Sequence, residues 1–215
     1  RYALSMYYNC ENKILEFFKN RANKNLDQKI INDIDKYIKK REELLGFKLD
    51  DDQKKAVRLI NDGVNSLLLI GYAGTGKSTS SKALLDLLCE KFDYDDICVI
   101  ALSGIASQRI NETTGYRAFT IQSLLIANEN KDKFDYKAIL LDEASMVNSV
   151  MFYQVIQKLS DDCVFIIVGD DGQLPAIGAG DVLRDSIKHS LAPLCKLETL
   201  HRQNEKQAIA VIAND

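Results

Sequence analysis

Gly71-Tyr72-Ala73-Gly74-Thr75-Gly76-Lys77-Ser78 fills every required position of the spacing GxxxxGK[ST]. The octet lies between an apolar run, "SLLLI", and an amphipathic stretch, "TSSKALLDLL". Glycines let a backbone turn tightly and approach a bulky anion with no side chain in the way. The amides of Gly74, Thr75, Gly76, Lys77, Ser78 and Thr79 can then point inward where the next helix starts, and that end of a helix carries partial positive charge. Lys77 adds a full charge for β and γ phosphates, and Ser78 a hydroxyl of the kind that ligates Mg²⁺. The chemistry these residues suit is the binding of ATP with Mg²⁺.

What is done with the nucleotide depends on a second set of residues. "AILLDEASMV" puts Asp142 and Glu143 at the end of an apolar strand. Asp142 suits the Mg²⁺ shell, and Glu143, one residue on, can accept a proton from an attacking water. A nucleotide kinase needs no such base, because its acceptor is a second phosphate. In "VGDDGQLPAIGAGDVL", the neutral amide of Gln173 can touch both the γ phosphate and the water, and so report which nucleotide is bound. Arg202, in "LETLHRQ", carries a planar fork suited to phosphate oxygens. The expected catalytic set is therefore Lys77, Glu143, Gln173 and Arg202.

The elements that must position these residues are legible as patterns. "SLLLI", "ICVIAL", "YKAILLD", "CVFIIVGD" and "LCKLETL" read as buried strands, and helical periodicity follows or separates most of them. That alternation predicts an α/β fold with a parallel central sheet covered by helices on both faces. Ahead of it, "ENKILEFFKN" and "QKIINDIDKYIKKREELLGF" repeat apolar residues at three- and four-residue spacing, with Gly46 as a helix stop, and "LDDDQKKAVRLIND" reads as another helix. The chain is thus expected to divide into a small helical region, 1–46, and a main domain, 47–215.

Composition sets the bounds. The 215 residues are 46% hydrophobic and 27% charged, enough for one core and a small appendage. No apolar run reaches membrane-span length, and the N-terminal segment lacks the apolar core of a secretory signal. Five scattered cysteines without a CxxC pair, and two histidines, speak against a zinc site and for reduced thiols in the cytoplasm. A net charge of −3 means that any grip on nucleic acid is a local strip or needs a partner domain. The sequence starts without Met and stops inside a helical pattern, so it reads as part of a longer protein.

Taken in order, "LDDDQKKAV", "GYAGTGKST", "ALSGIASQRI", "TIQSLL", "LLDEASMV", "GDDGQLPAIGAGDVL" and "LHRQ" resemble the motifs of superfamily 1 DNA helicases. The Gly-x-Gly-Asp-Val-Leu ending after the glutamine loop resembles the RecD-like branch more than the Pif family. The resemblance implies a RecA-like P-loop motor domain that hydrolyses Mg-ATP to move along single-stranded DNA, 5′ to 3′, in DNA repair or recombination. It also implies that Gln53 bonds the adenine edge, and that Ser103 and Gly104 stand where the family grips the DNA backbone. Thr120 and Gln122 match a Thr-x-His element beside the strand path, with Gln replacing His. Tyr116 and Phe119 lie nearby and read as core residues more readily than as base-stacking ones. The family motor has two RecA-like halves. Its second half, with a further phosphate-contacting arginine, would be the C-terminal partner of this domain. Two other readings stand beside this one, a Pif-family helicase and a P-loop switch module that does not translocate; a third, a small-molecule kinase, fails for want of an acceptor-binding lid.

Overall fold

The computed structural model describes residues 2–22 and 29–199. In chain order its main elements are α1 (Tyr2–Ala22), α2 (Ile34–Leu45), α3 (Asp51–Asn61), β1 (Ser66–Gly71), α4 (Lys77–Leu88), β2 (Ile97–Ala101) and α5 (Gly104–Thr114). Then come β3 (Ala118–Thr120), α6 (Ile121–Ala127), β4 (Ala138–Leu141), α7 (Ser149–Gln157), β5 (Val164–Gly169), α8 (Val182–Lys188) and β6 (Leu194–Leu197).

The strands form one six-stranded sheet in the order β3-β2-β4-β5-β1-β6. Every pairing is parallel, as the helix–strand alternation predicts. All residues of β1, β2, β4 and β5 are buried, which explains continuous apolar runs in place of alternation. Successive residues still face opposite ways. Leu67 and Leu69 join the core on one face, with Val99, Leu140 and Ile166. Leu68 and Ile70 join the other, with Ile100, Ile139 and Phe165. At about 1.5–3 kcal/mol for each fully buried Leu, Ile or Phe side chain, the two layers hold the sheet.

The helices close both faces. Ile14 and Phe18 of α1 are buried in the second layer, where Phe18 stacks on Phe152 and Phe17 meets the edge of Phe165. Ile38 of α2 and Ala56, Val57 and Ile60 of α3 belong to the first. Arg21, in the last turn of α1, is 5% exposed. Its guanidinium donates to Ser66 Oγ (2.8 Å) and to the carbonyls of Asn65 (2.9 Å), Ser160 (3.1 Å), Asp161 (3.3 Å) and Cys163. It thereby fastens α1 to the chain entering β1 and β5. Burial pushes its pKa down, yet the fork keeps its charge because every direction offers an acceptor.

Three details depart from the periodicity. The first helix begins at Tyr2, nine residues ahead of "ENKILEFFKN". The second begins only at Ile34, where Asp33 caps it through a bond from Lys36 N (3.1 Å). Ile30 and Ile31, read as helical, instead bond the backbone and side chain of Asn61 at the end of α3. Short β3, from "AFT", pairs beside β2 as an edge strand that carries no long apolar run. Gly46 ends α2 as expected, in the left-handed conformation with φ +75°. Among the described residues no helix is long and apolar enough to cross a membrane.

Candidate active site

Because β4, β5 and β1 are neighbours and parallel, their carboxyl ends open onto one edge. There a cleft of about 740 Å³ is lined by residues 72–79, except Thr75, together with Asp142, Glu143, Asp170 and Gln173. Segments far apart in sequence meet at that edge of an open α/β sheet.

The phosphate loop leaves β1 at Gly71 and enters α4 at Lys77, with Gly74 and Gly76 both at φ +83°. Gly71 has no room for a side chain, since a Cβ there would lie 2.4 Å from Thr75 Oγ1 and 3.1 Å from Leu197 Cβ. Thr75 is buried, and both its hydroxyl (2.8 Å) and its amide (3.3 Å) donate to the Tyr72 carbonyl. Its part in this structure is to shape the loop. Lys77 Nζ donates to the carbonyls of Gly71 (2.6 Å) and Tyr72 (3.0 Å) and lies 3.9 Å from Asp170 Oδ2. Partial burial lowers its pKa, while the Asp170 and Asp142 carboxylates pull the other way.

Asp142 continues the ladder beyond β4, donating its amide to the Ile100 carbonyl (2.9 Å), and its Oδ1 accepts from Glu143 N (2.9 Å). Burial raises the Asp142 carboxyl above the usual range. Glu143 is one of two non-glycine residues with positive φ among the described residues, at φ 53° and ψ 37°. That left-handed turn, which costs about 1–3 kcal/mol, breaks the strand direction and starts the short turn Ala144–Met146. Partial burial, and then the Asp142 charge, push the Glu143 carboxyl up. A carboxyl in that state holds a proton more readily than one in water.

Gln173 sits in the loop after β5, and its side-chain oxygen accepts from Ser145 Oγ at 2.9 Å. Arg184 of α8 braces the same loop through the Gln173 (2.8 Å) and Asp171 (3.2 Å) carbonyls. Asn148 and Ser149 at the start of α7 hold its far end through the Ile177 and Ala179 carbonyls. A Cβ on Gly172 would fall 2.7 Å from the Tyr72 ring, so the glutamine loop and the phosphate loop touch.

Gln53, 2% exposed, lines the same cleft, as does Phe47. Its Oε1 accepts from Asp50 N (2.9 Å) and its Nε2 donates to the Gly76 carbonyl (3.5 Å). The amide therefore caps α3 and ties it to the phosphate loop. Ser103, Gly104, Thr120 and Gln122 are brought together at the ends of paired strands β2 and β3, where Ala101 registers with Thr120. Ser103, Gly104 and Gln122 are exposed. The two hydroxyls also cap helices: Ser103 Oγ accepts from Ala106 N (3.1 Å) and Thr120 Oγ1 from Ser123 N (3.1 Å). Tyr116 is buried and bonds Asp86 (2.9 Å), whereas Phe119 is 37% exposed. Arg202 lies outside the described residues.

Two residues at the cleft escaped the sequence reading. Asp170 ends β5 as Asp142 ends β4, is 6% exposed, and accepts from Gly172 N (2.9 Å). A carboxylate closing an apolar run was the available signal. Arg109 lines the cleft from α5 with Ala106, Ile110 and Thr113. The signal there was a cation at helical spacing among residues of a packed face.

A family model described as an AAA domain matches residues 48–214. The chain belongs to that family. It is 30% identical over 158 residues to the ATP-dependent RecD2 DNA helicase of Deinococcus radiodurans, covering 71% of this chain and 22% of that protein. It is 26% identical over 193 residues to the RecBCD enzyme subunit RecD of Mycolicibacterium smegmatis, covering 75% and 34% respectively. The chain thus spans about a fifth to a third of the length of these curated relatives. A crystal structure of Pif1 helicase from Candida albicans superposes with a TM-score of 0.55 at 20% identity, over 77% of this chain and 43% of that one. That likeness places the AAA domain among RecA-like folds.

Proposed function

We propose that this AAA domain is a motor half of an ATP-dependent DNA helicase of the RecD-like kind, moving 5′ to 3′ on single-stranded DNA. One observation carries the reading. The phosphate loop, the Asp142–Glu143 pair and Gln173 line a single cleft at the ends of adjacent strands. The resemblance to RecD-like motifs and the names of the relatives give it direction.

The donor set fits a hydrated Mg²⁺, with the Ser78 hydroxyl and Asp142 carboxylate as hard oxygen ligands beside a loop with positive φ at Gly74 and Gly76. Bound Mg²⁺ supplies charge that offsets the β and γ phosphates. Lys77, already held at the mouth of the loop, turns from carbonyl acceptors to phosphate oxygens. Glu143 takes the proton of the attacking water, and Gln173 registers the γ phosphate. Arg202 and an arginine of a second motor domain complete the positive charge around the transferring group. Gln53 fixes the base end through α3. Ser103, Gly104, Thr120 and Gln122 form the local strip that meets the DNA backbone, which suits a chain with a net charge of −3. A cytoplasmic setting with reduced thiols accords with five free cysteines.

The deciding experiment is unwinding by the full-length protein on duplexes carrying 5′ or 3′ single-stranded tails, with the Lys77→Ala variant alongside. Unwinding of the 5′-tailed duplex alone, lost in that variant, is expected. Preference for the 3′ tail overturns the polarity. DNA-independent hydrolysis with no unwinding favours a switch module.

A further inference from the structure

We propose that Arg109 is a phosphate-contacting residue of the nucleotide cleft, placed to meet the γ phosphate of a bound triphosphate. The inference deepens the nucleotide-site reading above and rests on it.

Position is the first argument. Helix α4, which carries Lys77, packs between α3 and α5. Helix α3 contacts β6 at one end of the sheet, and α5 contacts β2 and β3 at the other. Gln53, which the reading above assigns to the base, approaches the cleft from the α3 side together with Phe47. Arg109 approaches from the α5 side, along a helix face that also presents Ala106, Ile110 and Thr113 at three- and four-residue spacing. That is the side nearer β4, which delivers Asp142 and Glu143. The Arg109 charge is felt at Lys77, Asp142 and Glu143 alike, so the guanidinium stands within electrostatic reach of all three.

Charge is the second argument. Among the cleft-lining residues described, the carboxylates of Asp142, Glu143 and Asp170 face only two cations, Lys77 and Arg109. A Mg²⁺–triphosphate still carries net negative charge, and Arg109 is the one cation that the described lining residues add to Lys77. Arg109 is exposed, and no ion pair or hydrogen bond of its guanidinium occurs among the described residues. The fork is therefore uncommitted within them, unlike Arg21, Arg58, Arg117 and Arg184. Guanidinium geometry matches phosphate oxygens two at a time.

The test is equilibrium binding of a non-hydrolysable ATP analogue and of ADP, each with Mg²⁺, to full-length wild-type, Arg109→Gln and Arg109→Lys proteins. A labelled single-stranded oligonucleotide is titrated in parallel without nucleotide. The glutamine variant keeps much of the stem, and the exposed site makes loss of folding easy to exclude by circular dichroism. For Arg109→Gln we expect the analogue to bind about tenfold or more weakly, the scale of a charge-assisted bond, while ADP and oligonucleotide change less than twofold. Arg109→Lys should recover part of the loss. Equal weakening of ATP analogue and ADP would place Arg109 away from the γ phosphate and overturn the proposal. So would loss of oligonucleotide affinity with nucleotide binding intact, which would assign Arg109 to the strand side. Wild-type protein binding neither nucleotide would overturn this proposal and the nucleotide-site reading together, whereas the other failures leave that reading standing.

Discussion

Ser145 Oγ donates to the side-chain oxygen of Gln173 across 2.9 Å, joining the turn that follows Glu143 to the loop that follows β5. Gly169 lies beside the turn, where an added Cβ would stand 2.5 Å from Leu183 Cδ2 and force that side chain to shift. The hydroxyl thus sets the position of Gln173 relative to the base. Fixing the amide oxygen also leaves its NH₂ group as the end free to donate toward the cleft.

Replacing Ser145 by Ala removes this donor at small cost to the fold. One neutral hydrogen bond is worth about 1 kcal/mol, so kcat of the full-length protein should fall about fivefold if the bond acts in turnover. The KM for ATP should hold within twofold, because Lys77 and the loop are untouched. Steady-state hydrolysis with saturating single-stranded DNA checks this, and an unchanged kcat would show that the Ser145 contact is structural only.

Glu143→Gln keeps the size of a residue that sits in the left-handed region and loses its proton acceptor. We expect Mg-ATP to bind as in the wild type while turnover falls by about 10² or more. Single-turnover hydrolysis separates the two effects. Wild-type turnover would remove Glu143 from the role of base and leave Asp170 as the next carboxylate to test.

Gln122 gives a cleaner test of the strand-end face than Ser103. Ser103 Oγ caps α5, and loss of such a cap costs about 1 kcal/mol of helix stability, so Ser103→Ala mixes two effects. Gln122 is exposed. Gln122→Ala should weaken oligonucleotide binding by about fivefold, the worth of one hydrogen bond, with unchanged melting temperature and nucleotide affinity. Fluorescence anisotropy with a labelled single strand measures it. Unchanged DNA affinity would take Gln122 out of the DNA track.

Arg21→Ala should destabilise the domain by about 3 kcal/mol, because several buried carbonyls lose their donor at once. Lysine should recover little, since an ammonium cannot span acceptors arranged around a planar fork. Urea denaturation of wild type, Arg21→Ala and Arg21→Lys gives the midpoints. A midpoint for Arg21→Ala equal to that of the wild type would mean that α1 is not fastened through this residue.

What is local in the chain can be read from residue order alone. The phosphate loop is contiguous, so its glycines, lysine and serine declare themselves by spacing alone. Strands β1, β2, β4 and β5 were legible because burial on both faces demands unbroken apolar runs, β6 because its apolar residues are interrupted only by Lys196, and Gly46 because a left-handed helix stop favours glycine. The edge strand β3 was not legible, since three half-exposed residues carry no such run. Nor was the true start of α2, where a bond between Ile31 and distant Asn61 competes with helical spacing. Which strands stand together is set by long-range packing. Buried parallel strands look alike in sequence, and their order comes from how the crossover helices pack. The order β4-β5-β1 is what carries Asp142, Glu143, Asp170 and Gln173 to the phosphate loop. The same packing turns one face of α5 toward that loop and gives Arg109 its place there, and it drives Arg21 among backbone carbonyls from the entries to β1 and β5. A charged residue's partners lie across the fold, and spacing along one helix cannot name them.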